Sequence, residues 1–366
     1  MNNFWQAIEK PIIGLAPMDG VTDAPFRFIT SKHSNPDVII TEFISVDGIA
    51  YGAGKLFTDF LYHEMERPVV AQVFGNDPEL FYIAAKVVCE LGFDGLDINM
   101  GCPAKSVSSR GAGAALIKTP DLAREIILSS KQGVDDWVRD GTAGLSSKVI
   151  KAIEATKIKL KELGVSVLEE RQAIPVSVKT RIGFNQSVVE DWIRNLLLTK
   201  PTNITVHGRT LKQMYTGGAD WAELKKGGLV VKEYNKSVTE SEQITYLGNG
   251  DVKDYASFIE KVDPEYFDGV LMGRGAFGNP WLFEMNSSIK AGDDYHKSER
   301  SFEEIKQVIN EHCKLHWQIK GEKAFVQMRK HLAWYVKGMP GASELRRQLM
   351  STKTPDEVED ILDNYS

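Results

Sequence analysis

The sequence predicts an α/β fold, a (β/α)8 TIM barrel followed by an all-helical C-terminal domain. Two observations carry this. Between residues 11 and about 275, eight short β-branched runs (12–16, 38–41, 69–73, 95–98, 176–178, 203–206, 244–247 and 269–272) alternate with helical stretches. Most of these runs are apolar throughout, as parallel strands buried on both faces are. From residue 301 onward the pattern is wholly helical: Ile305, Val308, Ile309 and Cys313, then Phe325, Met328, Leu332, Trp334 and Tyr335. Eight strands alternating with helices fit a closed barrel at least as well as an open sheet. The polar break at residues 292–294 places the boundary, with a barrel over 1–292 and a helical domain over 293–366.

Individual elements follow from local signals. Asp77 and Pro78 read as a cap with proline in the first helical turn, followed by Leu80, Ile83, Ala84 and Val87. Thr119 and Pro120 open a second helix with Leu122, Ile126 and Ile127 on one side. Two connections exceed what a barrel needs and read as surface insertions. One spans about 132–173 and contains a Lys-rich helix over 147–163; the other is the polar stretch 226–243. Charge is segregated in the helical part. Between His312 and Met350 five lysines and three arginines oppose two glutamates, a net +6, whereas the last sixteen residues carry a net −4. A basic block on a chain of net charge −6 suits a phosphate-facing surface.

Composition bounds the function. With 366 residues, 42% apolar and 26% charged, the chain is neither disordered nor collagenous. Its three cysteines (Cys89, Cys102, Cys313) are too widely spaced for a disulfide framework or a clustered zinc site, which fits the reducing cytoplasm. No segment approaches the ~18 uninterrupted apolar residues of a membrane span, and the N-terminus has no signal-peptide pattern. The expectation is a cytoplasmic monomer with no metal and no membrane partner. His312 and His316, four residues apart without the Glu of a zinc-protease helix, read as structural.

Chemistry in such a barrel lies at the C-terminal strand ends, and seven of the eight runs are followed there by polar or glycine-rich elements. They are APMDGVTD (16–23), Gln72, NMGCP (99–103) with Lys105 and Arg110, KTRIG (179–183), HGR (207–209), GNGD (248–251) and GRG (273–275). The last two occupy the loops where barrels commonly bind phosphate through backbone N–H groups, and Arg274 adds a bidentate donor. Lys179 ends a buried strand and needs an anionic or carbonyl partner. His207 stands beside Arg209, and Gln72 offers an amide suited to a pyrimidine-like ring edge. Cys102, in a Gly-Cys-Pro loop, has the chemistry of a nucleophile, a general acid or a small buried apolar residue.

Together with DINMGCP (97–103), VKTRIG (178–183), VHGRT (206–210), RKHLAWY (329–335) and PGASELR (340–346), these motifs resemble the flavin-dependent tRNA-dihydrouridine synthases over nearly the whole chain. Asp19 departs from the family pattern, where a small residue is common, as do the two insertions. The resemblance implies FMN at the barrel mouth, NADPH or NADH as reductant, and a helical domain that grips tRNA. Pro17, Met18 and Asp19 would lie against the isoalloxazine, and Gln72, Lys179 and His207 at its polar edge and ribityl chain. Asn249, Gly250, Asp251, Gly273 and Arg274 would hold the phosphate. It further implies that Cys102 is the general acid, protonating C5 of a uracil while hydride reaches C6. Asn99 and Arg181 would meet that uracil, and Lys105, Arg110 and Arg209 the RNA. A flavin barrel reducing a small free substrate, such as a dihydroorotate dehydrogenase, is the competing expectation. A non-enzymatic RNA-binding protein is a second.

Overall fold

The computed structural model describes residues 3–166 and 170–365. Its eight parallel strands close on themselves in the order β1 to β8: Ile12–Leu15, Ile39–Ser45, Val69–Phe74, Gly95–Met100, Val176–Gly183, Asn203–Thr210, Thr245–Asn249 and Gly269–Met272. β1 completes the barrel against β8, with Ile13 opposite Val270 and Leu15 opposite Met272. Each strand is longer than, or within a residue or two of, its apolar run. Asn99 on β4, residues 179–183 on β5 and 207–209 on β6 are strand residues rather than loop residues, because a barrel strand projects its last side chains into the mouth.

Helix starts match the cap signals. Asp77 accepts from the Glu79 N–H at the head of Pro78–Glu90. Asp23 does the same for Phe26 at the head of Ala24–Ser34. The helix opened by Pro120 runs to Asp140 and stops at Gly141, so residues 132–140 belong to the barrel rather than to an insertion. The inserted helix is Ser147–Glu162, its Val149, Ile153 and Leu160 buried on the barrel. The expected start of this insertion is corrected to after Gly141; the part of the expected stretch at residues 167–169 lies outside the described residues.

The second expected insertion, 226–243, is also corrected. Most of it is the helix Trp221–Lys236 between β6 and β7, followed by a short turn at Glu240–Glu242. Leu224, Val230 and Val231 are buried. The adjacent Gly227 and Gly228 bring the backbone down onto the barrel: a Cβ there would sit 2.5 Å from the Tyr246 hydroxyl or 2.4 Å from the Tyr266 carbonyl oxygen. A helix that approaches this closely must give up side chains, which erases the apolar stripe a sequence reader looks for.

Beyond Gly292 come the helices Phe302–Lys320, Met328–Tyr335, Ala342–Leu349 and Pro355–Asp363. They pack around their own apolar cluster of Val308, Ile309, Cys313, Phe325, Met328, Leu332, Leu345, Leu349 and Val358. Ala24–Ser34 belongs to both halves, Phe26 packing into the barrel core and Ile29 into the helical cluster. Trp334 stacks on Phe277 with ring centroids 4.0 Å apart. Asp23 stands between His316 at 3.8 Å and Lys320 at 3.4 Å. The helical part is thereby fastened beside the β1 loop at the mouth. No described helix is long and apolar enough to cross a membrane.

Candidate active site at the barrel mouth

Lys179, in the middle of β5, donates to Asn249 Oδ1 on β7 at 3.0 Å, and Asn249 in turn donates to the Leu271 carbonyl. Among the described residues no carboxylate lies within ion-pair distance of the Lys179 ammonium. Burial, then Arg181, pushes it down to about 8. Its one acceptor among the described residues is a neutral amide oxygen, so the ammonium has no counter-charge beside it, a state that costs free energy unless a ligand supplies one. His207 on β6 is kept neutral: burial first, then Arg181, Lys179, Arg209 and Arg274, hold it well below its usual range. Its Nε2 lies 3.3 Å from Arg209 Nη1, so Nε2 accepts and Nδ1 carries the proton.

At the ends of β7 and β8 the backbone is arranged for an anion. Gly250 has φ +119, and a Cβ there would meet Ala219 Cβ at 2.7 Å and His207 Cδ2 at 2.8 Å, so no side chain fits. No backbone hydrogen bond to a described residue engages the N–H of Gly250, Asp251 or Gly273. Asp251 does not offer its carboxylate to a phosphate. That group accepts from Arg274 and Arg209, each at 2.7 Å, and from the Ala219 N–H at 2.7 Å. Against burial, the Ala219 N–H and then Arg209 and Arg274 hold its pKa below the usual carboxylate range. Asp251 therefore aims Arg274, whose side chain is half-exposed, and offers a ligand its backbone N–H rather than its carboxylate. Met18 lies close to Gly273, its sulfur 3.0 Å from where a Cβ would stand, and Pro17 is half-buried beside it. Asp19 is exposed, at the rim rather than in the mouth.

Across the mouth, Cys102 is 9% exposed among Val107, Ala112 and Phe43. Burial raises its pKa, opposed first by the Ala104 N–H and, less, by Arg181 and Lys179, with Asp19 adding to the rise. A thiol so placed stays protonated at neutral pH and suits proton donation better than nucleophilic attack. Its loop is held by Asn99, whose Oδ1 accepts from the Gly101 and Cys102 N–H groups at 3.0 and 2.8 Å. Asn99 Nδ2 donates to Gln72 Oε1, and Gln72 Nε2 to Asp97 at 2.7 Å. Gln72 is fully buried with both ends of its amide engaged, leaving one N–H for any ring edge. Arg181 ties the Gly101 carbonyl (2.7 Å) to those of Thr210 and Met214 through Nε and Nη1; its Nη2 has no partner among the described residues.

Lys105 and Arg110 are exposed on the loop after β4, as RNA contacts must be. Arg209 is not. Its side chain is 3% exposed and spent on Asp251, the Gly217 carbonyl and His207. The expectation that it meets RNA is corrected: hydrogen-bonded to His207 and to Asp251, it braces the loop after β7. Sequence reasoning missed three residues here. Tyr215, 62% exposed, follows Met214 in the loop after β6. Glu42 on β2 is pushed up to about 7 by burial, by Asp23, and against Lys320. Asp97 is buried below the mouth. An acid inside an apolar run was the available signal for Glu42 and Asp97.

The residues present fit a flavin mononucleotide: an ammonium with no carboxylate beside it and a neutral imidazole for the ring edge, then free N–H groups and Arg274 for a phosphate. The chain matches the family described as "Dihydrouridine synthase (Dus)" over residues 14–140 and 156–366. It is 31% identical to "Probable tRNA-dihydrouridine synthase 2" of Bacillus subtilis (strain 168), covering 99% of this chain and 96% of that protein. To "Probable tRNA-dihydrouridine synthase" of Staphylococcus aureus (strain COL) it is 30% identical over 99% of this chain and 95% of the relative. Among solved structures it is similar to DHODH from Eimeria tenella, with TM-score 0.48, 14% identity and 77% and 82% of the two chains covered. Morphinone reductase is similar at TM-score 0.42 and 10% identity over 81% and 90%. Residues 226–243 fall within the family match, whereas 141–155, at the start of the inserted helix, do not. By its motifs, its mouth and this match over most of its length, the chain belongs to the dihydrouridine synthase family.

Proposed function

We propose that this protein is a cytoplasmic, monomeric tRNA-dihydrouridine synthase that reduces the C5–C6 bond of one uridine in tRNA, using FMN with NADPH or NADH. FMN bound at the mouth supplies the hydride that reaches C6 of the uracil. Cys102 donates its proton to C5 from the opposite face, and Arg181 and Lys179 stabilise the thiolate left behind until solvent reprotonates it. Asn99 and the free Nη2 of Arg181 address the uracil, and Tyr215 offers a face on which an extruded or neighbouring base stacks. Residues 1–292 form the catalytic domain and 293–366 the tRNA-gripping domain. One observation carries the reading: the Cys102 thiol, 9% exposed, stands across one barrel mouth from Lys179, whose only hydrogen-bond acceptor among the described residues is the neutral Asn249 Oδ1.

The basic block supports RNA rather than a small free substrate. Lys323, Lys337 and Arg346 are exposed and form no ion pair with a described residue, unlike Lys314 with Glu359 or Arg347 with Glu344. Purified protein with NADPH is expected to convert uridine to dihydrouridine in an unmodified tRNA transcript, read by mass spectrometry of the digested RNA. Its tRNA affinity should fall steeply with added salt, and Arg346→Ala should lower the slope of log K against log salt by about one, as loss of one phosphate contact does. Salt-independent or absent tRNA binding would instead favour an oxidoreductase of small substrates.

A further inference from the structure

Asp97, Gln72 and Asn99 form a buried chain that ends on the backbone of the Cys102 loop, and its hydrogen bonds run in one direction only. The Asp97 carboxylate accepts from Ser177 Oγ at 2.6 Å and from Gln72 Nε2 at 2.7 Å. Gln72 Oε1 accepts from Asn99 Nδ2 at 2.9 Å, and Asn99 Oδ1 accepts from the Gly101 and Cys102 N–H groups. Asp97, Gln72 and Ser177 are all fully buried, so no water can substitute for a missing partner. An amide can point either end at a neighbour; an ionised carboxylate can only accept. With Asp97 at the root, each amide above it has one allowed orientation, and the last presents its oxygen to two N–H donors.

We propose that Asp97 is a positioning residue for the proton donor: it sets the polarity of the Gln72–Asn99 chain and so fixes the backbone that carries Cys102. This deepens the reading of Cys102 as proton donor and rests on it for its functional meaning, but the positioning itself does not depend on catalysis. Burial pushes Asp97 up to about 6, opposed by the Ser177 and Gln72 hydrogen bonds and by Lys179, so at pH 8 it is ionised and accepts only. An Asn in its place could donate to Gln72. The chain could then reverse, turning the Asn99 amino group onto the Gly101 and Cys102 N–H groups, donor against donor.

The test uses the full-length protein as purified, treated with iodoacetamide at pH 8, with modification of Cys102 followed by mass spectrometry; Cys89 and Cys313, both fully buried, serve as internal references. Asp97→Asn is expected to speed Cys102 alkylation by about tenfold or more, the scale set by a buried donor losing its acceptor. Ser177→Ala removes the other hydrogen bond to the same carboxylate without reversing the chain, and should leave the rate near that of the wild type. Asp97→Asn combined with Asn99→Asp moves the acceptor-only group to the other end and satisfies every donor again, so it should restore slow alkylation. If Asp97→Asn alone does not fold, recovery of folding in the double variant makes the same point. Equal effects of Asp97→Asn and Ser177→Ala, or additive effects in the double variant, would overturn the proposal. None of these rates requires tRNA or NADPH, so the inference and the reading of Cys102 as proton donor can fail separately.

Discussion

Replacing Cys102 with alanine is expected to leave bound flavin and its reduction by NADPH unchanged while slowing dihydrouridine formation by about 10²–10⁴-fold, the usual contribution of a positioned general acid. The physical basis is the separation of the two half-reactions across the mouth. Lys179, His207 and Asn249 lie on β5 to β7 and Arg274 just past β8, whereas Cys102 lies just past the end of β4 and touches Phe43 and Val107. Alanine removes one sulfur from that apolar cluster without disturbing the Asn99 bonds, which reach the backbone of residue 102 rather than its side chain. Stopped-flow reduction by NADPH and single-turnover oxidation by tRNA resolve the two steps. If tRNA oxidised the flavin in the alanine variant at the wild-type rate, Cys102 would not be the proton donor.

Arg27→Met is expected to produce the largest loss of stability, about 3–5 kcal/mol, as breaking a fully buried ion pair from one side does. Arg27 and Glu66 have side chains 0% and 1% exposed and meet at 2.8 Å. The guanidinium also donates to the carbonyl oxygens of Thr22 and Leu61 at 2.8 and 2.6 Å. Removing it strands a carboxylate and two carbonyls together. Burial already pushes Glu66 above its ordinary pKa even with Arg27 beside it. Adding Glu66→Gln to the Arg27→Met chain removes the uncompensated charge and should recover a large part of the loss. The urea midpoint of unfolding measures both. A single variant within experimental error of the wild type would show that the pair contributes no net stability. Because Thr22 closes the loop that carries Pro17 and Met18, the single variant should also loosen the mouth.

The barrel was legible because parallel strands buried on both faces leave uninterrupted β-branched runs, and each of the eight marked a strand. The strand ends were less legible, since a side chain that projects into the mouth is as polar as one in a loop. The same ambiguity hid the direction of Arg209: polarity placed it at the site, but its burial shows only in its contacts with His207 and with Asp251, 42 residues away in sequence. Helix Trp221–Lys236 escaped because Gly227 and Gly228 make a close backbone contact in place of an apolar stripe. Asp97 was written within a motif yet had no visible role, because its partners Gln72 and Ser177 come from neighbouring strands 25 and 80 residues away in sequence. The charge of the helical part was fully legible, as exposure of Lys323, Lys337 and Arg346 requires nothing of the fold but its surface.

Titration of flavin-free protein with FMN and with riboflavin shows whether the mouth holds a flavin whose phosphate is gripped by the loops after β7 and β8. The free N–H groups at Gly250, Asp251 and Gly273 and the guanidinium of Arg274 should make FMN the tighter ligand by about 100-fold or more, since charge-assisted hydrogen bonds to phosphate are worth about twice a neutral one. Arg274→Ala should narrow that gap mainly by weakening FMN. Equal affinity for the two flavins, or no binding of either, would contradict the account.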